Sequence, residues 1–187
     1  MMHKKLINLS IILAMILVQI QRPEAKPAKT IIDYYNALKS TLGIDQSYRI
    51  VKKDVVNGFL SVTSGNGFAN TNIDMALWRS RSGKEIVGVF EYGCGGMGCW
   101  GKLVNFKFFD ANLREVRSKV VDWAKLEQMH RRAVSNEAIQ QGIPTVMVTI
   151  PQKGTTIKIV SGPMGSNPKP LVQLYYDINR GTFTIKK

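Results

Sequence analysis

The sequence predicts an α+β protein, mainly antiparallel β, with about ten strands in successive hairpins behind an N-terminal helix. Three observations carry that prediction. Apolar residues recur at helical spacing between residues 30 and 42 and again from residue 122. Elsewhere the spacing drops to two, and turn residues break the alternating runs at short intervals.

The first helix is expected over Thr30 to Leu42. Thr30 suits an N-cap, Asp33 stands where a capping box puts its acid, and Gly43 suits the stop. Ile31, Tyr35, Leu38 and Leu42 would form its buried stripe. The hairpins follow. Tyr48 to Val56 and Gly58 to Ser64 meet at Asn57-Gly58, a pair that favours the positive φ values of a tight hairpin turn. Met75 to Arg81 and Lys84 to Gly93 meet at Ser82-Gly83. Trp100 to Phe109 and Leu113 to Val121 meet across Asp110-Ala111-Asn112.

A second helical block near 122–141 opens at Asp122, with Trp123, Leu126, Met129 and Ala133 at helical spacing, and restarts at Ser135 before Gly142 and Pro144. Thr145 to Ile150 and Thr155 to Val160 then flank Pro151-Gln152-Lys153-Gly154, and Leu171 to Ile178 and Thr182 to Lys187 flank Asn179-Arg180-Gly181. Periodicity does not separate a barrel from a sandwich or a single sheet. The expected arrangement is a curved sheet or open barrel with the helices packed against it. Ser161 to Pro170, rich in glycine and proline, is the longest irregular stretch after the leader and a candidate functional loop.

The first residues read as a secretory leader. Lys4 and Lys5 precede an apolar run from Leu6 to Ile20, broken by the polar stretch Gln21 to Glu24. That run is shorter than the roughly 20 residues a membrane span needs. Ala25 suits the position before a cut, so residues 1–25 are expected to be a signal peptide and residues 26–187 a single mature domain. No cysteine precedes Cys94, so a lipid anchor on an N-terminal cysteine is excluded and the mature chain should be soluble, periplasmic or extracellular.

Charge limits the partners. The whole chain carries +13, and losing three basic residues and one acidic residue with the leader leaves +11. Such a surplus suits anionic polysaccharide, lipid headgroups or cell-wall polymer, although scattered charges also simply solvate a sheet. Nucleic acid is disfavoured, because no binding motif is present and export removes it from reach.

The side chains also limit the chemistry. Cys94 and Cys99 are the only cysteines and should pair in an oxidising compartment, closing the tip Gly95-Gly96-Met97-Gly98. A ring this small contributes about 2 kcal/mol and mainly fixes local shape. Two intervening residues would be needed for a C-x-x-C redox motif, and four are present. His130 is the only histidine beyond the leader, so a multi-histidine zinc site is impossible, and no cofactor is implied. His130 itself reads as a surface helix residue.

Two functional readings remain. In the first, the chain is an exported, non-catalytic binding or envelope-associated module whose charge suits an anionic ligand. The rigid cysteine-closed tip would then present Tyr92, Met97 and Trp100 at little entropic cost. In the second it is a small hydrolase of glycan or cell-wall polymer. Glu91, directly after the apolar run Ile86 to Phe90, is the catalytic candidate for that reading, with an unidentified second acid.

Overall fold

The computed structural model describes residues 28–65, 69–96, 98–133, 146–162 and 169–186. The leader at 1–25, Met97, the helix restart at Ser135 and residues 163–168 of the candidate loop lie outside the described residues.

Helix α1 spans Ile31–Leu38. Its start is the capping box read from the sequence. The Thr30 hydroxyl accepts from the Asp33 N–H while the Asp33 carboxylate accepts from the Thr30 N–H, which satisfies two otherwise orphaned donors. The helix ends earlier than the periodicity suggests. From Lys39 the chain turns, the Ile44 N–H reaches the Lys39 carbonyl at 2.8 Å, and Gly43 takes φ 65°.

Among the described residues nine strands follow: β1 Arg49–Asp54, β2 Phe59–Ser64, β3 Ala69–Arg79, β4 Glu85–Gly95, β5 Gly98–Asp110, β6 Val146–Thr149, β7 Thr156–Ser161, β8 Lys169–Asp177 and β9 Thr182–Lys186. They form one antiparallel sheet in sequence order, left open between β1 and β9. Helices α2, Arg117–Val120, and α3, Trp123–Ala133, lie between β5 and β6.

The strand expected over Leu113 to Val121 is instead a single bridge, Phe109 to Glu115, followed by α2. The Asp110 carboxylate draws the Asn112 and Arg114 N–H groups around it, and Leu113 adopts φ 63°. Alternation through this segment would have left charges on both faces. Val116, Val120 and Val121 are buried together in the helical arrangement.

The sheet buries both faces. Against one face pack Trp78, Phe90, Phe106 and Phe108 with residues of β6 to β9 and with Val120, Trp123 and Leu126 of the inserted helices. Against the other, α1 sets Ile31, Tyr34, Tyr35 and Leu38 on Leu60, Ile73, Met75 and Val87. Strands β2 to β5 therefore lie between two apolar layers. A polar tie completes the α1 layer: the Tyr34 hydroxyl donates to Glu85, which also binds Arg79 at 2.7 Å, and Arg79 donates to the Lys29 carbonyl.

The first face is concave. Trp78 of β3 and Phe183 of β9 are six places apart in the strand order, about 29 Å in a flat sheet, yet their ring centroids lie 5.1 Å apart. Tyr176 and Phe108 join the same aromatic group. Turns from the two halves meet around it. The Arg81 N–H donates to the Ile178 carbonyl at 2.8 Å, Lys84 Nζ to the Gly181 carbonyl at 2.9 Å, and Gln152 Nε2 to Asp54 Oδ2 at 2.9 Å.

The tryptophans divide: Trp78 and Trp123 are core, whereas Trp100 remains 36% exposed. His130 corrects the surface reading. It is buried on α3, and its Nε2 has no hydrogen-bond partner among the described residues. Burial pushes its pKa down from 6.5, opposed by the Glu127 charge. Among the described residues no helix is long and apolar enough to cross a membrane.

Two tests follow from the packing. Gly88 faces the concave core, where an added Cβ would stand 2.8 Å from Trp78 Cζ3 and 3.3 Å from Phe108 Cε1. Gly88→Ala should cost about 1–3 kcal/mol and lower Tm by several degrees in a calorimetric scan. For His130, the unfolded chain takes up its proton before the folded one does. Its contribution is intact above pH 6.5 and is lost as pH falls below it. Urea midpoints measured across that range should fall less steeply in His130→Leu than in the parent chain.

Candidate functional site

Along β3, residues whose side chains share the concave face are Asn70, Asn72, Asp74, Ala76 and Trp78, because strand side chains alternate. The apolar packing thus stops at Ala76 and a polar wall begins. Residues directly opposite each other in a ladder share a face, so Ser61, paired with Asp74, and Thr63, paired with Asn72, extend that wall onto β2. Lys52, paired with Ser61, extends it onto β1, and Tyr92, paired with Asn72, onto β4.

Asp74 is its centre. The Tyr92 hydroxyl donates to Asp74 Oδ2 at 3.3 Å, Ser61 supplies a second hydroxyl, and Lys52 a nearby positive charge. Burial dominates all three and raises the Asp74 pKa above 3.8. Tyr92 is shifted upward as well, chiefly by burial and then by the Asp74 charge. Its ring stacks on Phe90 with centroids 5.4 Å apart, which fixes the hydroxyl's position. The wall therefore offers hydroxyls, amides, an acid whose charge is penalised by burial and one ammonium group, over an aromatic floor.

The wall runs toward the cysteine-closed tip, where Asn70 pairs with Cys94 and Cys94 with Cys99, the two joined by a disulfide. A single register row links Asn72, Tyr92, Gly101, Val146 and Ser161 across five strands. The start of the Ser161 to Pro170 loop consequently lies in line with Tyr92. The disulfide and the described ends of that loop, Ser161 and Lys169, lie at this end of the sheet.

The other sequence candidates separate. Tyr92 pairs with Gly101 and Gly93 with Trp100, so Tyr92 and Trp100 project from opposite faces. The Trp100 ring lies across Gly93, within 3.8 Å of where a Cβ would be. Met97 is outside the described residues. Glu91 pairs with Ile73, which is buried under α1, while Asp74 pairs with Phe90 on the concave face. The two acids therefore have the sheet between them.

Asp54 does share the concave face with Asp74. It lies two strands and two residues away in the ladder. Its carboxylate is occupied: Asn57, Gln152 and the Asn57 N–H bind it and hold its pKa below 3.8. Among the described residues, no cluster of three or more His, Cys, Asp or Glu could hold a metal ion.

Sequence reading missed Asp74, Ser61 and Lys52 as a group because it began the strand at Met75. The signal was present. Alternation continues backwards from Trp78 through Ala76, Asp74 and Asn72 to Asn70, and only the polarity of those residues made the stretch read as loop.

Asp74→Asn tests the wall's electrostatics. Because its pKa is raised, folding penalises the charged carboxylate at neutral pH, and the penalty disappears as pH falls through the raised pKa toward 3.8. Asp74→Asn should therefore melt at a higher temperature than the parent chain at neutral pH, with the difference shrinking on acidification. No protein-family model, characterised protein or solved structure matches this chain.

Proposed function

We propose that the chain is an exported, non-catalytic binding module that holds an acidic polysaccharide against the polar end of its concave wall. The observation that carries this reading is Asp74, half-buried where the apolar inner positions of β3 stop, bonded to Ser61 and Tyr92 and facing Lys52. Hydroxyls and amides that both donate and accept suit a hydroxyl-rich ligand, and an ammonium group suits its anionic substituents. The mouth of a curled sheet is also where small ligands commonly find enclosure. The formal charge, +13 for the whole chain and +11 without the leader, favours such a polymer over a neutral one. The disulfide between Cys94 and Cys99 is compatible with an oxidising, extracytoplasmic compartment.

Dextran sulfate, whose charge does not change with pH, is a suitable probe, with neutral dextran as control. Calorimetric titration should show salt-sensitive binding to the sulfated polymer alone. Affinity should rise as pH falls from neutral toward 3.8, because protonating Asp74 removes a negative charge facing the ligand. Asp74→Asn should flatten that profile, and Lys52→Gln should weaken binding about tenfold, the worth of one charge-assisted hydrogen bond. Equal binding of both polymers, indifference to all of these changes, or release of new reducing ends would overturn the reading.

A further inference from the structure

Seven large apolar residues are exposed among the described residues, and four of them, Ile50, Val51, Val55 and Val56, fall within one stretch of seven. That stretch is β1 and the turn after it. Val56 is 96% exposed and Val55 41%. Turns favour glycine, asparagine and aspartate, and two adjacent β-branched residues in solvent at a tip serve no packing purpose. Lys52 and Lys53 lie just upstream, separated from Val55 by Asp54.

The tertiary structure adds a second set of cations. Gln152, in the turn between β6 and β7, donates to Asp54 at 2.9 Å and so ties that turn to the β1–β2 turn across 98 residues of chain. Beside this junction lies an open pocket of about 410 Å³ lined by Thr149, Pro151, Gln152, Lys153, Thr156 and Lys158 among others, with no carboxylate in its lining. Asp54, at the rim, is the acid of the junction, and Lys153 lies close enough to lower its pKa. An aliphatic tip is therefore joined to a hydroxyl- and lysine-lined recess.

We propose that the joined β1–β2 and β6–β7 turns dock on an anionic phospholipid bilayer, with Val55 and Val56 entering the headgroup boundary and Lys53, Lys153 and Lys158 meeting lipid phosphates. Apolar residues exposed beside basic ones are the combination that interfacial binding requires. The negative potential of such a surface attracts clustered lysines within a Debye length. Charge complementarity favours a lipid surface over a second copy of this chain, since two copies would bring the same lysines together. The site is independent of Asp74 and the polar wall, and either assignment can fail without the other.

The test is flotation with vesicles, using the chain from Lys26 onward. That chain contains every element of the fold but lacks the apolar Leu6 to Ile20 run, which would partition into lipid by itself. The parent protein should float with vesicles containing phosphatidylglycerol, remain behind with pure phosphatidylcholine, and be released at high salt. Val55→Ser with Val56→Ser should lower the bound fraction about tenfold or more, and Lys153→Glu with Lys158→Glu by a similar factor. All four positions are in turns or exposed, and unchanged melting curves would show that the variants fold. Failure to float with anionic vesicles, or undiminished flotation of the valine pair, would overturn the proposal. So would binding of soluble polyphosphate without vesicle binding, or a sedimenting dimer that the valine pair dissolves, which would assign the surface to a free polyanion or to a second copy.

Discussion

Everything in this fold depends on one shared apolar face. Strands placed far apart in the sheet contribute to the same core, and the contact of Trp78 with Phe183 at 5.1 Å is possible only if the sheet curls through most of a turn. Curling makes one face concave, brings the β3–β4 turn against the β8–β9 turn, and joins the β1–β2 turn to the β6–β7 turn. Side chains fill the concavity where Trp78, Phe108, Tyr176 and Phe183 meet, and Val120, Trp123 and Leu126 of the inserted helices pack into the same core. Toward the disulfide tip, by contrast, the inner positions of β3 become polar, while Val146 and Tyr92 carry the apolar packing on neighbouring strands.

The outer face solves a different problem. A sheet with nothing on its convex side would expose Leu60, Ile73, Met75 and Val87 to water, and α1 covers them. The helix is too short to be stable alone, so its capping box and its tie through Tyr34, Glu85 and Arg79 matter less for helicity than for placing it. Its cover does not reach β1, where Ile50 and Val51 stay exposed. As an edge strand with free backbone groups, β1 carries the devices that discourage uncontrolled pairing: Lys52, Lys53 and a register irregularity between Ile50 and Lys52. Those same lysines give the edge its charge.

The local elements of the fold were legible wherever a side chain acts on its own neighbourhood. Thr30 and Asp33 cap a helix because both partners lie within one turn, and Cys94 and Cys99 pair across a hairpin that their own spacing defines. Gly83 at φ 81° and Gly181 at φ 63° mark turns that no other residue enters as easily. The reading failed where burial, decided elsewhere, outweighed local pattern. Leu113 to Val121 became a bridge and a short helix because the core offered Val116, Val120 and Val121 a common place. His130 was buried for the same reason, by packing that its neighbours Arg131 and Arg132 do not announce.

Composition, charge, the leader pattern, the hairpins other than the one expected at Leu113 to Val121, and the cysteine-closed tip were therefore determined by the sequence alone, since each depends on residue type or on contacts a few positions apart. Which residues face one another was decided only by the tertiary structure. Tyr92 and Trp100, close in sequence, were sent to opposite faces by strand alternation, and Glu91 was separated from Asp74 by the sheet itself. Lys52, Ser61, Asp74 and Tyr92 were gathered from four strands, and Asp54 was joined to Gln152 across 98 residues. A site of that kind depends on the curl of the whole sheet, and no window of sequence contains it.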